Sequence, residues 1–518
     1  MAITAKTAPR TSLFVYGNLI VSLFVLSSLL LSTSVSALTL PSPRKIVIVG
    51  GGPTGLYLAQ LLLQSTDDEA LKIEILEQTP RDGTADANSF GFGIGARHQR
   101  CLEEIPGLWP KIESKSAPTT GGPKVRIIGR QVLCQELLAN LEELDSNSKR
   151  CTISYNTACQ NIDLDQHVVT TTNGTSIHYD LLVGCDGVKS DIRNLLVETK
   201  GIKEEHYLRD CFWKSLKIGK QEQVPFSKNF EQQQQLDPGA FKPLTHPSLH
   251  GAIIPRYPEG HTALIFWKDM NRPNPKGVET ASDLAEVLTQ AVQPKASKWD
   301  IARKLLFLRM SDKTAASKKA ARRIQVQFDE EDLVRCVNSV PRQEHYIKLD
   351  RYHDDDGQVA LLGDSAHGMY SFLGQGAACA FQSARLLANS LQEYPQDIPT
   401  ALQEYSAQAV PEGHAAANLN LVSHTIFGSV LAKLIAIPLL LVNAARGKLL
   451  MKRLNADVTY RKIYLENYLL VKFSRAFWKK YRIPTHGESE DGDGYKLKRK
   501  SAWRKSAWKG FAKPSIAK

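Results

Sequence analysis

Four consecutive β-branched residues, Ile46 to Val49, run directly into Gly50-Gly51-Gly52-Pro53-Thr54-Gly55 and then into the Leu- and Ala-rich stretch Leu56–Leu63. Such a pattern makes a buried strand, a tight turn and a helix. The glycines at the spacing Gly50-x-Gly52-x-x-Gly55 have separate physical tasks. Gly50 permits the turn, Gly52 lets the backbone approach a pyrophosphate, and Gly55 lets helix and strand pack closely. Pro53 and Thr54 complete the turn at a helix N-terminus, whose dipole attracts phosphate charge. The next strand-like stretch, Leu71–Gln78, carries Glu77, 22 residues after Gly55. A carboxylate there accepts hydrogen bonds from ribose hydroxyls. The β-α-β order with its acid predicts a dinucleotide-binding α/β domain.

Three later stretches extend the pattern. Gly129–Leu144 has helical apolar spacing at Val132, Leu133, Leu137, Leu138 and Leu141. Asp180–Gly187 reads as a strand that delivers Asp186-Gly187 to a turn, with Ser190 and Arg193 at the helix start that follows. Alone, this is also how an Asp-Gly turn with a capping serine looks. In Leu361–Ala388, Gly363 and Asp364 sit at a strand end, where a carboxylate can bind a sugar-like hydroxyl. Gly374-Gln375-Gly376 then opens a long Ala-rich helix, so its free N–H groups can face an anion. The glycine fingerprint, the Asp-Gly turn and the Gly-Asp turn are specific in this order and at these spacings.

Together they resemble the FAD-dependent aromatic hydroxylases, the group A flavin monooxygenases of the para-hydroxybenzoate hydroxylase fold, over roughly Lys45 to Ala388. The resemblance rests on the glycine fingerprint with Glu77, on Arg130 with Leu133 and Leu137, on Asp186, Gly187, Ser190 and Arg193, and on Gly363, Asp364 and His367. Phe372–Gly376 and the hydrophobic C-terminal region look most like the kynurenine 3-monooxygenase group. The resemblance implies that the glycine loop and Glu77 hold the ADP half of FAD and that Arg130 contacts its phosphates. It implies that Asp364 binds the ribityl chain and that the Asp186 motif serves FAD and NADPH alike. NADPH (or NADH) and O2 are then co-substrates, and a flavin C4a-hydroperoxide hydroxylates an aromatic or similar lipophilic small molecule. The protein's part is to position substrate and exclude water. The sequence needs and shows no Ser-His-Asp or metal constellation, the catalytic residues stay unassigned, and His367, which invites a general-acid role, reads rather as a structural histidine close to the cofactor.

The chain departs from the family at defined positions. Tyr370 and Ser371 stand where a proline is usual, Ala378 where asparagine is common, and Ser383 in place of an aspartate. Asn88 occupies the place of a kynurenine enzyme's carboxylate-binding arginine, which speaks against kynurenine as substrate. Two other readings stay open: an FAD-dependent epoxidase or reductase of an isoprenoid, and a non-catalytic membrane-associated flavoprotein.

The expected fold is α/β: an FAD-binding Rossmann-like domain of the glutathione-reductase type, an inserted β-sheet substrate domain and a helical C-terminal region. Residues 38–205 and 336–410 are the two parts of the FAD domain. Residues 206–335 are the substrate domain, with Tyr257, Phe266 and Trp267 as aromatic wall candidates. Residues 411–480 are the helical region and 481–518 a basic disordered tail. Residues 1–37 read as a signal peptide or signal anchor: Lys6 and Arg10 precede the apolar run Leu13–Leu31 and then Val35-Ser36-Ala37. Val35–Pro41 resembles the signal-to-transit junction of plastid proteins in algae with secondary plastids, which gives a plastid or endomembrane destination.

Eight cysteines lie scattered, with no Cys-x-x-Cys pair. This excludes a zinc finger or disulfide scaffold and fits a reducing compartment. The formal net charge is +12, and Tyr495–Lys513 alone has eight Lys or Arg and no acid. The basic residues form no nucleic-acid motif, so the tail reads as solvated or as a contact for an anionic surface. Within 426–453, Ile426–Ala445 is apolar but interrupted by Lys433 and Pro438, and its unbroken part, Leu434–Val442, is too short to span a bilayer. Arg446, Lys448, Lys452 and Arg453 follow. A helix in the membrane interface and a helix docked on the core both fit.

Overall fold

The computed structural model describes residues 45–66, 68–81, 91–119, 125–219, 233–234, 242–255, 260–292, 323–324, 326, 328–423, 430–479 and 482–485. The expected signal segment, Asn88, Tyr257 and the tail beyond 485 lie outside them.

Strand β1 (Lys45–Val49) leads through the glycine loop to α1 (Pro53–Ser65) and β2 (Lys72–Leu76). β3 (Gly91–Ile94) runs into α2 (Ala96–Glu103), and β4 (Arg126–Gly129), its antiparallel partner, runs straight into α3 (Arg130–Leu144). Then come β5 (Cys151–Ser154), β6 (Leu181–Gly184) and α4 (Asp191–Thr199). The inserted domain starts with β7 (Glu204–Arg209) and β8 (Phe212–Ile218). It continues with β9 (Lys242–Thr245), β10 (His250–Pro255), β11 (His261–Trp267), α5 (Ala281–Val292) and α6 (Glu330–Asn338). The chain returns through β12 (His345–Leu349), β13 (Val359–Leu361), α7 (Asp364–His367) and α8 (Gly376–Glu393). The C-terminal region is α9 (Ile398–Asn420), α10 (Val430–Ala445), α11 (Leu450–Leu454), α12 (Tyr460–Glu466), α13 (Tyr468–Trp478) and β14 (Arg482–Pro484).

The main sheet is parallel throughout, in the order β13-β6-β1-β2-β5. Both its faces are covered, so its central strands are apolar without alternation: Ile46, Val47 and Ile48 are all buried. Each such side chain contributes about 1.5–3 kcal/mol on leaving water. Strand ends, and with them the Gly50, Asp186 and Asp364 turns, gather at the C-terminal edge, where open α/β sheets bind ligands.

The second sheet, β8-β11-β10-β9, is antiparallel. Its large buried apolar side chains gather on one face, although both faces are partly covered. Leu216, Ile253, Ile265 and Trp267 pack against Leu284 and Leu288 of α5 and Leu333 of α6. Trp213, Phe266 and His250, paired across neighbouring strands, share the other face. Both expected boundaries of this domain cut through elements, β7 at one end and α6 at the other. Likewise α9 runs unbroken through Pro411, across the expected 410/411 division.

A small sheet, β12-β7-β14, joins the parts. β14 corrects the expectation that disorder begins at 481. Its backbone pairs with the free edge of β7, and Arg482 stacks on the rings of Tyr207 (4.1 Å) and Trp478 (5.3 Å). Cation–π contacts and edge pairing hold a segment whose composition alone reads as tail. Among the described residues, no helix is long and apolar enough to cross a membrane.

Candidate functional site

Gly50 adopts φ +111°, and a Cβ there would lie 2.4 Å from the Cys185 carbonyl oxygen. The loop therefore presses directly on the end of β6. A Cβ on Gly55 would sit 2.1 Å from the Gly50 oxygen, so α1 and β1 pack at a distance only glycine allows. Gly52 is different. A Cβ there would meet only Arg130 Nη2, at 3.5 Å. Gly52 is also the N-cap of α1 and offers no side-chain cap. The space beside it is thus bounded by a guanidinium and by N–H groups of a helix N-terminus, which is a cradle for phosphate.

Glu77 closes one side of the cradle. Its Oε2 accepts from Gly51 N–H (2.8 Å), and its Oε1 accepts from the N–H (2.8 Å) and hydroxyl (2.7 Å) of Thr79. Each oxygen of a carboxylate has further acceptor capacity for a ribose hydroxyl. On the other side, Asp364 opens α7. Its side chain is solvent-accessible although protein surrounds it, so it lines a recess. Burial pushes its carboxyl pKa up, and the charge of Arg130 pulls it down. A Cβ on Gly363 would lie 3.0 Å from Thr54 Oγ1, and one on Gly376 would lie 3.9 Å from Asp364 Oδ1. Gly52, Thr54, Arg130, Gly363, Asp364 and Gly376 therefore converge on one recess. It combines a phosphate cradle, two carboxylates for hydroxyl groups and a helix N-terminus, and this set of donors and acceptors fits FAD.

The Asp186 motif works locally. Asp186 Oδ2 accepts from the N–H groups of Asp191 (2.9 Å) and Ile192 (3.4 Å), capping α4, and Ser190 Oγ caps through Arg193 N–H (2.9 Å). Burial raises the Asp186 pKa. The buried Arg193 guanidinium donates to Val188 O and Ser365 O and pairs with Glu204. Ser365 Oγ in turn donates to Gly184 O (2.6 Å). The motif thus ties the Asp-Gly turn to the Gly-Asp turn.

His367 is fully buried, away from the recess surface, and burial pulls its pKa down to about 4. It is a neutral structural group. Tyr370 is also buried. Its hydroxyl accepts from Trp478 Nε1 (3.1 Å), so the ring fills the junction with the C-terminal helices. The next residue, Ser371, donates through its N–H (2.9 Å) and its hydroxyl to Glu344, and Glu344 is ion-paired with Arg209. Burial alone would raise the Glu344 pKa. Arg209 and the Ser371 donors outweigh it and hold the carboxyl below its usual range.

Of the aromatic wall candidates, Trp267 belongs to the substrate domain's own core. Phe266 points the other way. His250 stacks on it at 5.7 Å, and the Arg209 guanidinium lies 5.6 Å from its ring. β10 also touches β3 of the FAD domain. The face made by Trp213, His250 and Phe266 therefore looks onto the junction between the two domains.

The Gln375 side chain turns inward: it is buried, with Nε2 donating to Leu373 O (3.1 Å) and Oε1 accepting from Tyr460 (2.9 Å), so only its backbone can face the recess. Arg97, Glu344 and Tyr460 were not legible as part of this region. Arg97 lies under the Tyr460 ring (4.3 Å) and donates to the carbonyls of Leu454 and Val458. These contacts span hundreds of residues and leave no local mark.

No family model matches the chain. Among curated proteins, it is similar to salicylate hydroxylase of Pseudomonas putida, 23% identical over 373 residues, covering 67% of this chain and 76% of the relative. It is similar to kynurenine 3-monooxygenase of Phaeosphaeria nodorum, 22% identical over 426 residues, covering 76% and 79%. Among solved structures it shares the fold of the anhydrotetracycline hydroxylase OxyS of Streptomyces rimosus. The TM-score is 0.52 at 19% identity, over 87% of this chain and 78% of that one.

Proposed function

We propose that this chain, which is similar to FAD-dependent aromatic hydroxylases, uses NADPH (or NADH) and O2 to hydroxylate an aromatic or similar lipophilic small molecule. The observation that carries this reading is the recess itself, where the solvent-accessible Asp364 faces Gly376 and feels the charge of Arg130, which borders the open side of Gly52. FAD bound there supplies the passage of electrons from nicotinamide to oxygen. The chain's own residues bind and orient. Arg130 and the α1 N-terminus meet phosphate, while Glu77 and Asp364 accept from hydroxyl groups. The substrate space lies at the domain junction, walled by Trp213, His250 and Phe266. His250 is neutral near pH 7, because burial pulls its pKa down to about 4. Arg209 beside Phe266 is already matched by Glu344. Rings and a compensated charge suit an uncharged apolar ring better than an acid.

The test is the visible spectrum of the purified chain, followed by NADPH without oxygen. A flavin band that bleaches supports the reading, and substrate screening under air then separates hydroxylation from epoxidation. A flavin band that stays oxidised with every ring substrate tried rejects it in favour of a non-catalytic flavoprotein. A chain with no affinity for FAD rejects both.

A bilayer surface is proposed as a partner of the C-terminal region. Of nine large apolar side chains exposed among the described residues, seven lie on α10, α12 and α13: Leu434, Ile435, Leu441, Val442, Leu465, Tyr468 and Leu469. Arg446, Lys452 and Lys472 are exposed around them. An apolar face with a cationic rim suits the interface of an anionic membrane. Co-sedimentation with vesicles containing anionic phospholipid tests this, and a chain left in the supernatant rejects it.

A further inference from the structure

The segment from Tyr370 to Gly376 links the Gly-Asp turn to the N-terminus of α8, and three side chains from the C-terminal region bond to it. Asn420, the last residue of α9, accepts the Leu373 N–H at its Oδ1 (2.9 Å). Its Nδ2 donates to Ala416 O (3.0 Å), which fixes the amide's orientation. Tyr460, the first residue of α12, donates its hydroxyl to Gln375 Oε1 (2.9 Å). Trp478, the last residue of α13, donates to Tyr370 (3.1 Å). All three are buried.

The holding groups are themselves held. The Tyr460 N–H donates to Glu412 Oε2 (2.6 Å) on α9, and its ring lies under Arg97. Arg97 and Arg100 of α2 also grip the Leu454–Asp457 turn, through Leu454 O and through Asp457. The C-terminal region is therefore bonded both to the loop and to the helix that follows β3. A helical appendage packed only for stability needs apolar contacts. It does not need one directed hydrogen bond to each of three residues in a six-residue span.

We infer that Asn420, Tyr460 and Trp478 are positioning residues of the cofactor site: they set the conformation of the 370–376 loop, and the C-terminal region completes the recess. The inference rests on the flavoprotein reading above. Gly376 faces Asp364 and starts α8, so a shift of the loop moves the helix N-terminus and the acid relative to each other.

The test uses the full chain with Tyr460→Phe, which keeps the ring under Arg97 and removes only the hydroxyl. FAD affinity weakens roughly fivefold, the size of one lost hydrogen bond, and the visible flavin band shifts. In the apoprotein, amide exchange quickens at residues 371–376 and holds elsewhere, and the melting temperature falls by no more than one lost hydrogen bond accounts for. Tyr460 acts through Gln375, so the double change Tyr460→Phe with Gln375→Leu weakens binding no more than Gln375→Leu alone. Trp478→Phe repeats the test from another helix if Tyr460→Phe lowers the melting temperature further than one lost hydrogen bond accounts for. Wild type that retains FAD, with variants of equal affinity, spectrum and exchange, overturns this inference alone. Wild type without affinity for FAD overturns the flavoprotein reading and this inference with it.

Discussion

Nε2 of His367 and the hydroxyl of Ser383 lie 2.9 Å apart, inside the packing between α7 and α8. Ser383 stands where the resembling family carries an aspartate, and here the hydroxyl serves as the partner of a buried neutral imidazole. Cys379 Sγ, at 4.0 Å from the same nitrogen, offers only a weaker thiol contact. Ser383→Ala leaves the ring nitrogen without that bond and costs about 1–3 kcal/mol of stability. Urea unfolding measures this, and an unchanged midpoint refutes the structural role.

Stability falls on mild acidification. Burial pulls the pKa values of His98 and His367 from 6.5 down to about 4, with the nearby Arg97 charge adding to the effect at His98. The unfolded chain takes up protons below its ordinary value, while the folded chain refuses them. Stability is thus full above about pH 6.5 and is lost as pH falls toward 4, by up to about 3 kcal/mol per histidine. Denaturant midpoints from pH 7.5 to 4.5 show the slope. His367→Gln makes it shallower, and an equal slope in that variant counts against the assignment.

Gly52→Val separates folding from binding. The only atom near an added Cβ is Arg130 Nη2, so the fold tolerates the side chain at a cost of about 1 kcal/mol, as for a helix N-cap change. The same side chain fills the cradle. Flavin retention through gel filtration is abolished while the circular dichroism spectrum is kept. Full FAD occupancy in this variant would sink the cradle assignment.

Glu344→Gln removes the charge opposite Arg209 in a buried setting. A buried ion left without its partner costs about 3–5 kcal/mol. Arg209→Met in the same chain restores much of the loss. Thermal melts of the single and double variants decide this, and additive losses contradict the pairing.

The residues differ in how far the sequence discloses them. β1 with its glycine loop, α3 from Arg130, the strand before Asp186 and the helix after Gly376 are where their patterns put them, because periodicity and glycine spacing are local signals. Phe266 and Trp267 had to be divided by the alternation of a strand, and only the register with β8 and β10 shows which one faces the junction. The pairing of His367 with Ser383 is 16 residues long and runs between two helices. The reach of Tyr460 to Gln375 spans 85 residues. Such contacts are set by how finished elements dock, and nothing in the neighbouring residues records them. β14 was hidden for the same reason, since its partner strand lies more than 270 residues earlier.

The order of the main sheet has a consequence for synthesis. β6 is flanked by β1, made long before it, and by β13, which follows only after the whole inserted domain. A nascent chain therefore carries β6 with an unpaired edge through some 170 residues of translation, from Gly184 to Val359. Asp364 and the α8 N-terminus emerge later still, and Tyr460 and Trp478 almost last. A message truncated before Val359, with about a third of the chain still to come, yields a polypeptide with an exposed strand edge and with neither Asp364 nor the α8 N-terminus to close the cradle, ready for quality-control proteolysis.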